Sequence, residues 1–191
     1  MTTSSSDGSH AEGIDTTSSN YGAHSEGYGT IASGLFTHAE GQQSTSSGEY
    51  SHAEGNGCVA SAVSAHAEGN HTMSQGYASH SEGDGTVAFG FYSHSEGKDT
   101  EAGGYYSHAS GKGTIARGQG QFVIGEYNVE QGTTGQKVNT DCAFIIGNGV
   151  NDNQRSNALG IKWDGTFVFA NGTEISPAQF ASLLALLDSE E

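Results

Sequence analysis

The sequence predicts an all-β solenoid, a parallel β-roll of short stacked strands, over roughly its first two thirds. Histidine recurs every fourteen residues without a slip, glutamate keeps the same step two residues later, and a glycine closes each unit from Gly13 to Gly111. Such a strict period indicates one structural unit stacked on copies of itself, because each copy buries its neighbour's face. The two columns are His10, His24, His38, His52, His66, His80, His94 and His108, and Glu12, Glu26, Glu40, Glu54, Glu68, Glu82 and Glu96.

The fourteen-residue unit divides into two half-units of seven, as in Thr30–Gly34 followed by Thr37–Gly41. Each half-unit has a small, a variable, a small and a variable residue, then glycine and two connecting residues. Alternation with period two is typical of a strand, so we expect the small residues to face inward and the variable pair outward. Two short strands and two corners per turn predict a flattened roll of about eight and a half turns, stacked about 4.8 Å apart.

The outward positions differ between the two predicted sheets. One sheet carries the His and Glu columns, and the other has the more apolar Ile31, Val59, Met73, Val87 and Ile115. One corner is polar and turn-like, as at Asn56-Gly57 and Asp84-Gly85. The other corner is aromatic, and we predict that it packs on a neighbouring subunit. Its residues are Phe36, Tyr50, Tyr92 and Tyr106.

The repeat region is poor in large hydrophobic residues. Residues 1–118 hold too few Leu, Ile, Val, Phe and Met for an ordinary core. A single roll with so thin an interior would be marginally stable, so we expect the chain to oligomerise. Cys58 stands where other repeats have Ser or Thr, which predicts a small buried filler rather than a disulfide or a metal ligand.

Charge is distributed unevenly along the chain. The formal net charge is −16, and residues 1–97 contain eleven Asp and Glu but no Lys or Arg. This argues against binding to nucleic acid, whose phosphates need basic contacts, and against binding to anionic membrane surfaces. No apolar run reaches the roughly 18 residues of a membrane span, so we expect no membrane insertion.

Two hypotheses account for the His and Glu columns. His and Glu are competent metal ligands, but the pattern repeats indifferently along the rod, which favours a hydrogen-bonded ladder over a dedicated metal site. Within such a ladder the Glu partners should raise the His pKa above about 6.5, whereas crowding of histidines without partners would lower the pKa. Because the Glu column lies beside the His column, we expect the pKa to rise. Ser51 and His52 point to opposite faces, so no catalytic triad forms there, and no cofactor is expected.

The period ends after Gly118, and the C-terminal third has a different character. We divide the chain into a shaft over 1–120, a β-rich cap and trimerisation domain over 121–172, and a C-terminal amphipathic helix over 173–191. Strand-like hydrophobic segments separated by polar, Gly- and Asn-rich connectors predict the cap, which covers the open end of the solenoid.

The final segment has strong helix-start signals. Ser176 is a good N-cap, Pro177 suits the first helical position, and Gln179 completes a capping box, while Ile175 and Phe180 are spaced for a hydrophobic staple. A helix of about twelve residues is unstable alone, so its apolar stripe must pack on the cap or around a threefold axis. The stripe, which we predict to be a trimerisation helix, is Phe180, Leu183, Leu184 and Leu187.

The Ser/Thr-x-Ala-x-Gly half-units on a fourteen-residue step resemble the head domain of trimeric autotransporter adhesins of the YadA type, over about residues 2–120. The resemblance implies a left-handed parallel β-roll with three chains side by side. The Ser-His-Ala-Glu-Gly version departs from the more apolar adhesin repeat and is similar to arrays in tail fibre and tail spike proteins of bacteriophages and prophages. In those proteins an intramolecular-chaperone or trimerisation domain often follows.

The segment 144–149, with 155–158 and 163–165 behind it, resembles the C-terminal domains of those tail proteins, some of which cleave themselves. Ser156, Asn157 and Asp164 are polar groups suited to self-cleavage, but such residues in β connectors are usually turn formers. We therefore expect no enzymatic activity and assign no catalytic residue.

The resemblance implies a structural component of a phage tail fibre or spike that serves host attachment or fibre assembly. Its expected partners are two further copies of the chain, other tail proteins and a host cell-surface receptor, which could be a glycan, and its expected location is the virion. The alternatives are a trimeric adhesin head on a bacterial surface and an autoproteolytic chaperone domain. Met1 leads straight into a repeat in phase, as expected for the C-terminal piece of a larger fibre.

Overall fold

A computed structural model describes residues 1–188, and these form a β-solenoid followed by one short helix. The predicted fold class is therefore confirmed. The strands, numbered in chain order, alternate between two sheets for the first seventeen strands. The last three residues of the segment predicted as helical, 189–191, lie outside the described residues.

Sheet A contains nine two-residue strands, each parallel to the next. They are β1 (Thr3–Ser4), β3 (Thr17–Ser18), β5 (Ile31–Ala32), β7 (Thr45–Ser46), β9 (Val59–Ala60), β11 (Met73–Ser74), β13 (Val87–Ala88), β15 (Glu101–Ala102) and β17 (Ile115–Ala116).

Sheet B contains thirteen strands, and most of those within the repeats are five residues long. They are β2 (His10–Ile14), β4 (His24–Tyr28), β6 (His38–Ala39), β8 (His52–Asn56), β10 (His66–Asn70), β12 (His80–Asp84), β14 (His94–Lys98), β16 (His108–Lys112), β18 (Phe122–Glu126), β19 (Cys142–Asn148), β20 (Asn157–Lys162), β21 (Phe167–Phe169) and β22 (Glu174–Ile175).

The strands of the roll pair in a fourteen-residue register, so that each side chain lies over its own copy in the next turn. His66 pairs with His80, and Ala67 with Ser81. Sheet B continues without a break through residue 120, because β18 pairs in parallel with both β16 and β19. The sheet becomes antiparallel from β20 onward.

The interior of the roll is lined by small side chains, as the alternation of small and variable residues predicts. Ala32, Ala53, Ala60 and Ser46 are fully buried, and Cys58 is buried among the small residues as the predicted filler. The larger fully buried aliphatic side chains, Val123 and Ile145, lie at the C-terminal end of the stack. Apolar burial within the repeats therefore comes mainly from methyl-sized groups.

The buried side-chain amide of Asn128 closes the end of sheet A. In sheet A every second backbone N–H donates to the carbonyl thirteen residues later, as Glu101 donates to Thr114 and Gly103 to Ala116. At the last strand Asn128 supplies this acceptor with its side chain, since the Ile115 N–H donates to its Oδ1 at 2.7 Å and its Nδ2 donates to the Ile115 carbonyl at 3.0 Å. The amide thus replaces a tenth strand and satisfies an edge that would otherwise be unpaired.

Glycine at the end of each long half-unit is required by contact as well as by conformation. Gly55 has a φ of +108°, and a Cβ there would lie 2.2 Å from the carbonyl oxygen of Gly69. Any larger residue would force adjacent turns apart. The glycine column therefore fixes the close stacking on which the parallel hydrogen bonds depend.

The C-terminal helix α1 (Pro177–Asp188) forms where the capping signals predict it. The Gln179 N–H donates to Ser176 Oγ at 3.3 Å, and the Ser176 N–H donates to Gln179 Oε1 at 2.9 Å, which is the reciprocal capping box. No residue of α1 is buried in the single chain. Phe180 of the stripe lines a groove with Leu159, Phe167 and Phe169 of the cap, and the choice between packing on the cap and packing around a threefold axis stays a prediction. None of the helices described in residues 1–188 is long and apolar enough to cross a membrane.

Replacing Ala53 by leucine should lower the free energy of unfolding by about 1–3 kcal/mol or more, because the fully buried methyl has no room for a larger side chain. Ile31→Ser is the control, since Ile31 is 41% exposed on the outer face and its loss should cost less. Thermal unfolding of both variants checks this, and equal, negligible shifts would contradict the in-and-out assignment.

Candidate functional site

The His and Glu columns lie side by side on the outer face of sheet B. From His24 to His108 each histidine is half-buried, and the intervening alanine or serine is buried between the sheets. Each Glu follows its His by two residues on the same strand, so the two columns run in parallel along the roll. All residues predicted for the two columns therefore share one face.

Each histidine from His38 to His108 faces the glutamate of the preceding turn. The Nε2–Oε1 distance is 3.2 Å for His52 and Glu40, and 3.1 Å for His66 and Glu54. It is 3.2 Å for the next pair, and 3.4 to 3.7 Å for the pairs nearer the ends of the column. The pairing joins adjacent turns and lies within one chain. It reinforces the backbone ladder from outside.

The imidazole rings also stack on one another. From His24 to His94 the ring centroids of adjacent histidines lie 4.7 to 4.9 Å apart, with interplanar angles of 1 to 4°. The column continues into the cap, because Phe122 stacks on His108 at 4.5 Å and Phe144 follows Phe122 at 5.8 Å. This continuation was not predicted from the histidine period, although Phe122 stands fourteen residues after His108 and could have been assigned to the column.

The expected rise in His pKa is wrong for His80 and His108. Partial burial lowers the pKa of His80, and the charges of His66 and His94 lower it further, which outweighs the hydrogen bond to Glu68. Burial, followed by the charge of His94, likewise lowers the pKa of His108. The fourteen-residue register adds to the effect of burial, because it places a histidine on both sides of His80 and on one side of His108.

The glutamates are shifted toward their ionised form. Burial alone would raise the pKa of Glu68, but the hydrogen bond from His80 and the charges of His66 and His80 outweigh it and lower that pKa. The pKa of Glu96 is also lowered, chiefly by a hydrogen bond from Ser110. Near neutral pH the columns therefore present neutral imidazoles beside carboxylates, at least at these positions.

The aromatic corner consists of two exposed pairs of rings, which are separated by Ser64 and Ala78 at the equivalent position of the intervening turns. Phe36 stacks on Tyr50 with ring centroids 5.7 Å apart, and Tyr92 on Tyr106 at 5.3 Å; all four rings are at least half exposed. A second column, one residue earlier in each turn, was missed by the sequence analysis. Its apolar members, which also recur at fourteen-residue steps, are Tyr21, Leu35, Val63, Tyr77, Phe91 and Tyr105.

The aromatic residues of this corner occupy a backbone conformation that L residues seldom adopt. Phe36, Tyr50, Tyr92 and Tyr106 have φ between 51 and 59°. At the opposite corner the residue with positive φ is a glycine in every second turn, as at Gly57. Glycine adopts this conformation at lower cost because it has no Cβ. Large, half-exposed rings in this strained backbone conformation contribute little to the stability of the single chain. They are more readily explained as a contact surface.

The polar residues considered for self-cleavage have structural roles. The Ser156 hydroxyl donates to Asn148 Oδ1 at 2.6 Å, and Asn157 Oδ1 accepts the Val129 N–H at 2.8 Å. Asp164 lies in the turn beyond the other end of β20, where its carboxylate accepts the Thr166 N–H. The strand separates Asp164 from the other two, so the three do not converge on one peptide bond.

The predicted helix stripe is exposed in the single chain. Its four side chains are between 48 and 58% exposed, and Phe180 lies beside an apolar groove that also contains the Ile175 of the predicted staple. The groove is lined by Leu159, Phe167, Phe169, Ile175 and Phe180.

Comparison with known families supports the repeat assignment. Residues 67–93 match the YadA head domain repeat in two copies. The match lies in the middle of the roll and covers less than half of the chain. No curated protein matches the sequence. The chain thus carries YadA-type β-roll repeats within a solenoid of nine sheet-A strands.

Acidification should destabilise the roll. Because the folded pKa of His80 and His108 is lowered, their contribution to stability is fully present above the unfolded value of about 6.5 and is lost as the pH falls below it. The lowered pKa of Glu68 acts with the same sign at lower pH. Adjacent protonated rings would also repel by about 1 kcal/mol even at the dielectric constant of water.

Melting temperatures at pH 7.5 and pH 5.0 measure this effect. The decrease should be smaller in His80→Gln, whereas His71→Gln, at a corner away from the column, should behave as the wild type. A double-mutant cycle on His66 and Glu54 at both pH values reports the coupling of one pair. A melting temperature that rises on acidification would contradict the sign.

Proposed function

We propose that the protein is a homotrimeric, adhesin-like fibre module that displays a rigid rod at a biological surface. The observation that carries the proposal is the regular β-roll with YadA-type head repeats. A rod of stacked turns has no deep interior for a substrate, and its functional surfaces are the columns along its faces.

The surfaces left open by the single chain support trimer formation. The interior of the repeats is built from alanine, serine and threonine, while aromatic rings and leucines remain exposed at one corner and along α1. Exposed apolar surface on this scale marks a contact, and three copies of the α1 stripe around a threefold axis would bury it and fix the chain register. The aromatic corner would then supply lateral contacts along the shaft.

We further propose that the module belongs to a phage tail fibre or spike and serves host attachment. The similarity of the His-Ala-Glu-Gly repeats and of the segment 144–149 to tail proteins supports this, together with an acidic shaft that lacks basic residues over 1–97. A trimeric head on a bacterial surface is the second candidate, since the YadA-type repeats fit it equally well.

Binding of the fluorescently labelled protein to cells separates the two settings. Binding to bacterial cells that saturates and is displaced by unlabelled protein favours the tail fibre. Binding to animal cells or to extracellular matrix, without binding to bacteria, favours the adhesin head.

We propose a structural rather than an enzymatic role. The hydrogen bonds of Ser156, Asn157 and Asp164 support this, because each is already used to hold a turn or a strand end. The intact mass of the protein before and after refolding checks it, since self-cleavage by the C-terminal third would yield two fragments.

The protein should elute as a trimer, with a mass by light scattering three times the chain mass of 19.6 kDa. The double variant Leu183→Ser and Leu187→Ser should slow or misdirect assembly, because it removes two apolar side chains from the stripe. Ser182→Ala is the matched control on the same helix. A folded wild-type monomer at micromolar concentration would refute the proposal.

The aromatic corner can be tested without disturbing the fold. Other turns already have Ser64 and Ala78 at the equivalent position, with φ of 57 and 49°. Tyr92→Ser combined with Tyr106→Ser should therefore retain the circular dichroism of the roll and weaken the trimer by at least tenfold in dissociation constant. An unchanged trimer would show that this corner faces solvent or a different partner.

A further inference from the structure

We infer that the His and Glu columns bind zinc at two places, one around His24 and one around His94. The ligand atoms of Glu12, His24 and Glu26 lie within 4.8 Å of one another, and so do those of Glu82, His94 and Glu96. Each cluster combines one imidazole nitrogen with two carboxylates from adjacent turns. Three clusters that lie between these two meet the same distance, and each consists of two histidines from adjacent turns and one glutamate: His38, Glu40 and His52; His52, Glu54 and His66; and His66, Glu68 and His80. The inference goes beyond the proposed function, because it applies equally to a phage tail fibre and to an adhesin head on a bacterial surface.

These two positions differ from the middle of the column. At His52, His66 and His80 the Nε2 atom is hydrogen-bonded to a glutamate at 3.1 to 3.2 Å, so a metal ion would have to displace that bond. The Nε2 atoms of His24 and His94 are shielded from solvent and have no hydrogen-bond partner in the part of the chain that the structure describes.

An imidazole nitrogen that is shielded from solvent and has no hydrogen-bond partner favours the binding of a metal ion. A polar atom that is shielded from water and unpaired destabilises the fold, and a metal ion would give it a partner. Glu82 Oε1 lies only 3.4 Å from His94 Nε2 but is not aligned as a hydrogen bond. The Nε2 of His38 is also unpartnered, but its cluster consists of His38, Glu40 and His52, and the last two are hydrogen-bonded to each other at 3.2 Å, so an ion there would have to displace that bond.

The donor set suits zinc rather than a hard cation. Zinc binds imidazole nitrogen and carboxylate oxygen at about 2.0–2.2 Å in a tetrahedral site, which places the donors about 3.4 Å apart. The ligand atoms, which lie within 4.8 Å of one another, would need to approach by up to about 1.4 Å, which rotation of partly exposed glutamate side chains allows, and water can supply the fourth ligand. Magnesium and calcium prefer six or more oxygen ligands, which neither cluster provides.

The spacing of the clusters permits both to be filled. Ions on adjacent turns would lie about 4.8 Å apart and repel strongly, so the column cannot be loaded at every turn. His24 and His94 are five turns apart, which corresponds to about 24 Å at that spacing and exceeds the screening length of about 8 Å at physiological salt. We therefore expect two independent ions per chain.

Isothermal titration of the full-length protein with zinc chloride at pH 7.5 tests the inference, with magnesium chloride titrated in parallel. The expected result is two zinc ions per chain and no magnesium binding. His24→Gln and His94→Gln should each remove one ion, and the double variant should remove both. His52→Gln, within the column, and His71→Gln, at the polar corner, are matched controls that should retain two.

Glu12→Gln and Glu96→Gln provide a second route if a histidine variant fails to fold by circular dichroism, and each should weaken one site at least tenfold. Three results would overturn the inference: no zinc binding below millimolar concentration, full binding by the His24 and His94 double variant, or an equal loss in His52→Gln. Equal binding of magnesium would show general attraction of cations to an acidic rod and would overturn it as well.

Discussion

Close stacking of fourteen-residue turns is the constraint on which the rest of the molecule depends. Parallel hydrogen bonds hold successive turns in register, and the glycine column lets the backbones approach, since a Cβ at Gly55 would lie 2.2 Å from the next carbonyl oxygen. Every outward side chain consequently meets a copy of itself or its replacement one turn away. A column can therefore repeat one residue type only if two copies of that side chain can lie next to each other at the spacing of adjacent turns.

The outer face of sheet B shows how a charged column meets this constraint. Imidazoles tolerate this proximity because they are flat and can remain neutral: partial burial, followed by the charge of neighbouring histidines, lowers the pKa of His80 and of His108. Glutamates one turn earlier accept their hydrogen bonds. His108 meets His94 edge to face, and Phe122 and Phe144 then continue the column from His108 into the cap, where hydrophobic rings replace imidazoles.

Assembly and function follow from where apolar surface is left. The interior is filled by methyl groups and hydroxyls, so large hydrophobic residues within the shaft appear mainly on outer faces and at one corner. The side-chain amide of Asn128 pairs with the last strand of sheet A and closes the C-terminal end of the stack. The apolar stripe of α1 stays exposed in the single chain. The hydrogen bonds at this end of the rod are paired, whereas apolar surface stays exposed along its sides. Such a rod is suited to lateral association, as in the adhesin-like trimer proposed for it.

The sequence by itself determined the roll, its two faces and the small-residue interior through its period, and the C-terminal helix through its capping residues, because each follows from local spacing and from turn and cap chemistry. Tertiary structure alone decided which Glu meets which His, the direction of the His pKa shift, and the continuation of the column into Phe122. These depend on distances between turns: a repeat shows which residues share a column but gives neither ring orientation nor burial. The orphaned Nε2 atoms of His24 and His94 were invisible for the same reason, since a sequence in which all eight histidines look alike cannot show which lack a partner.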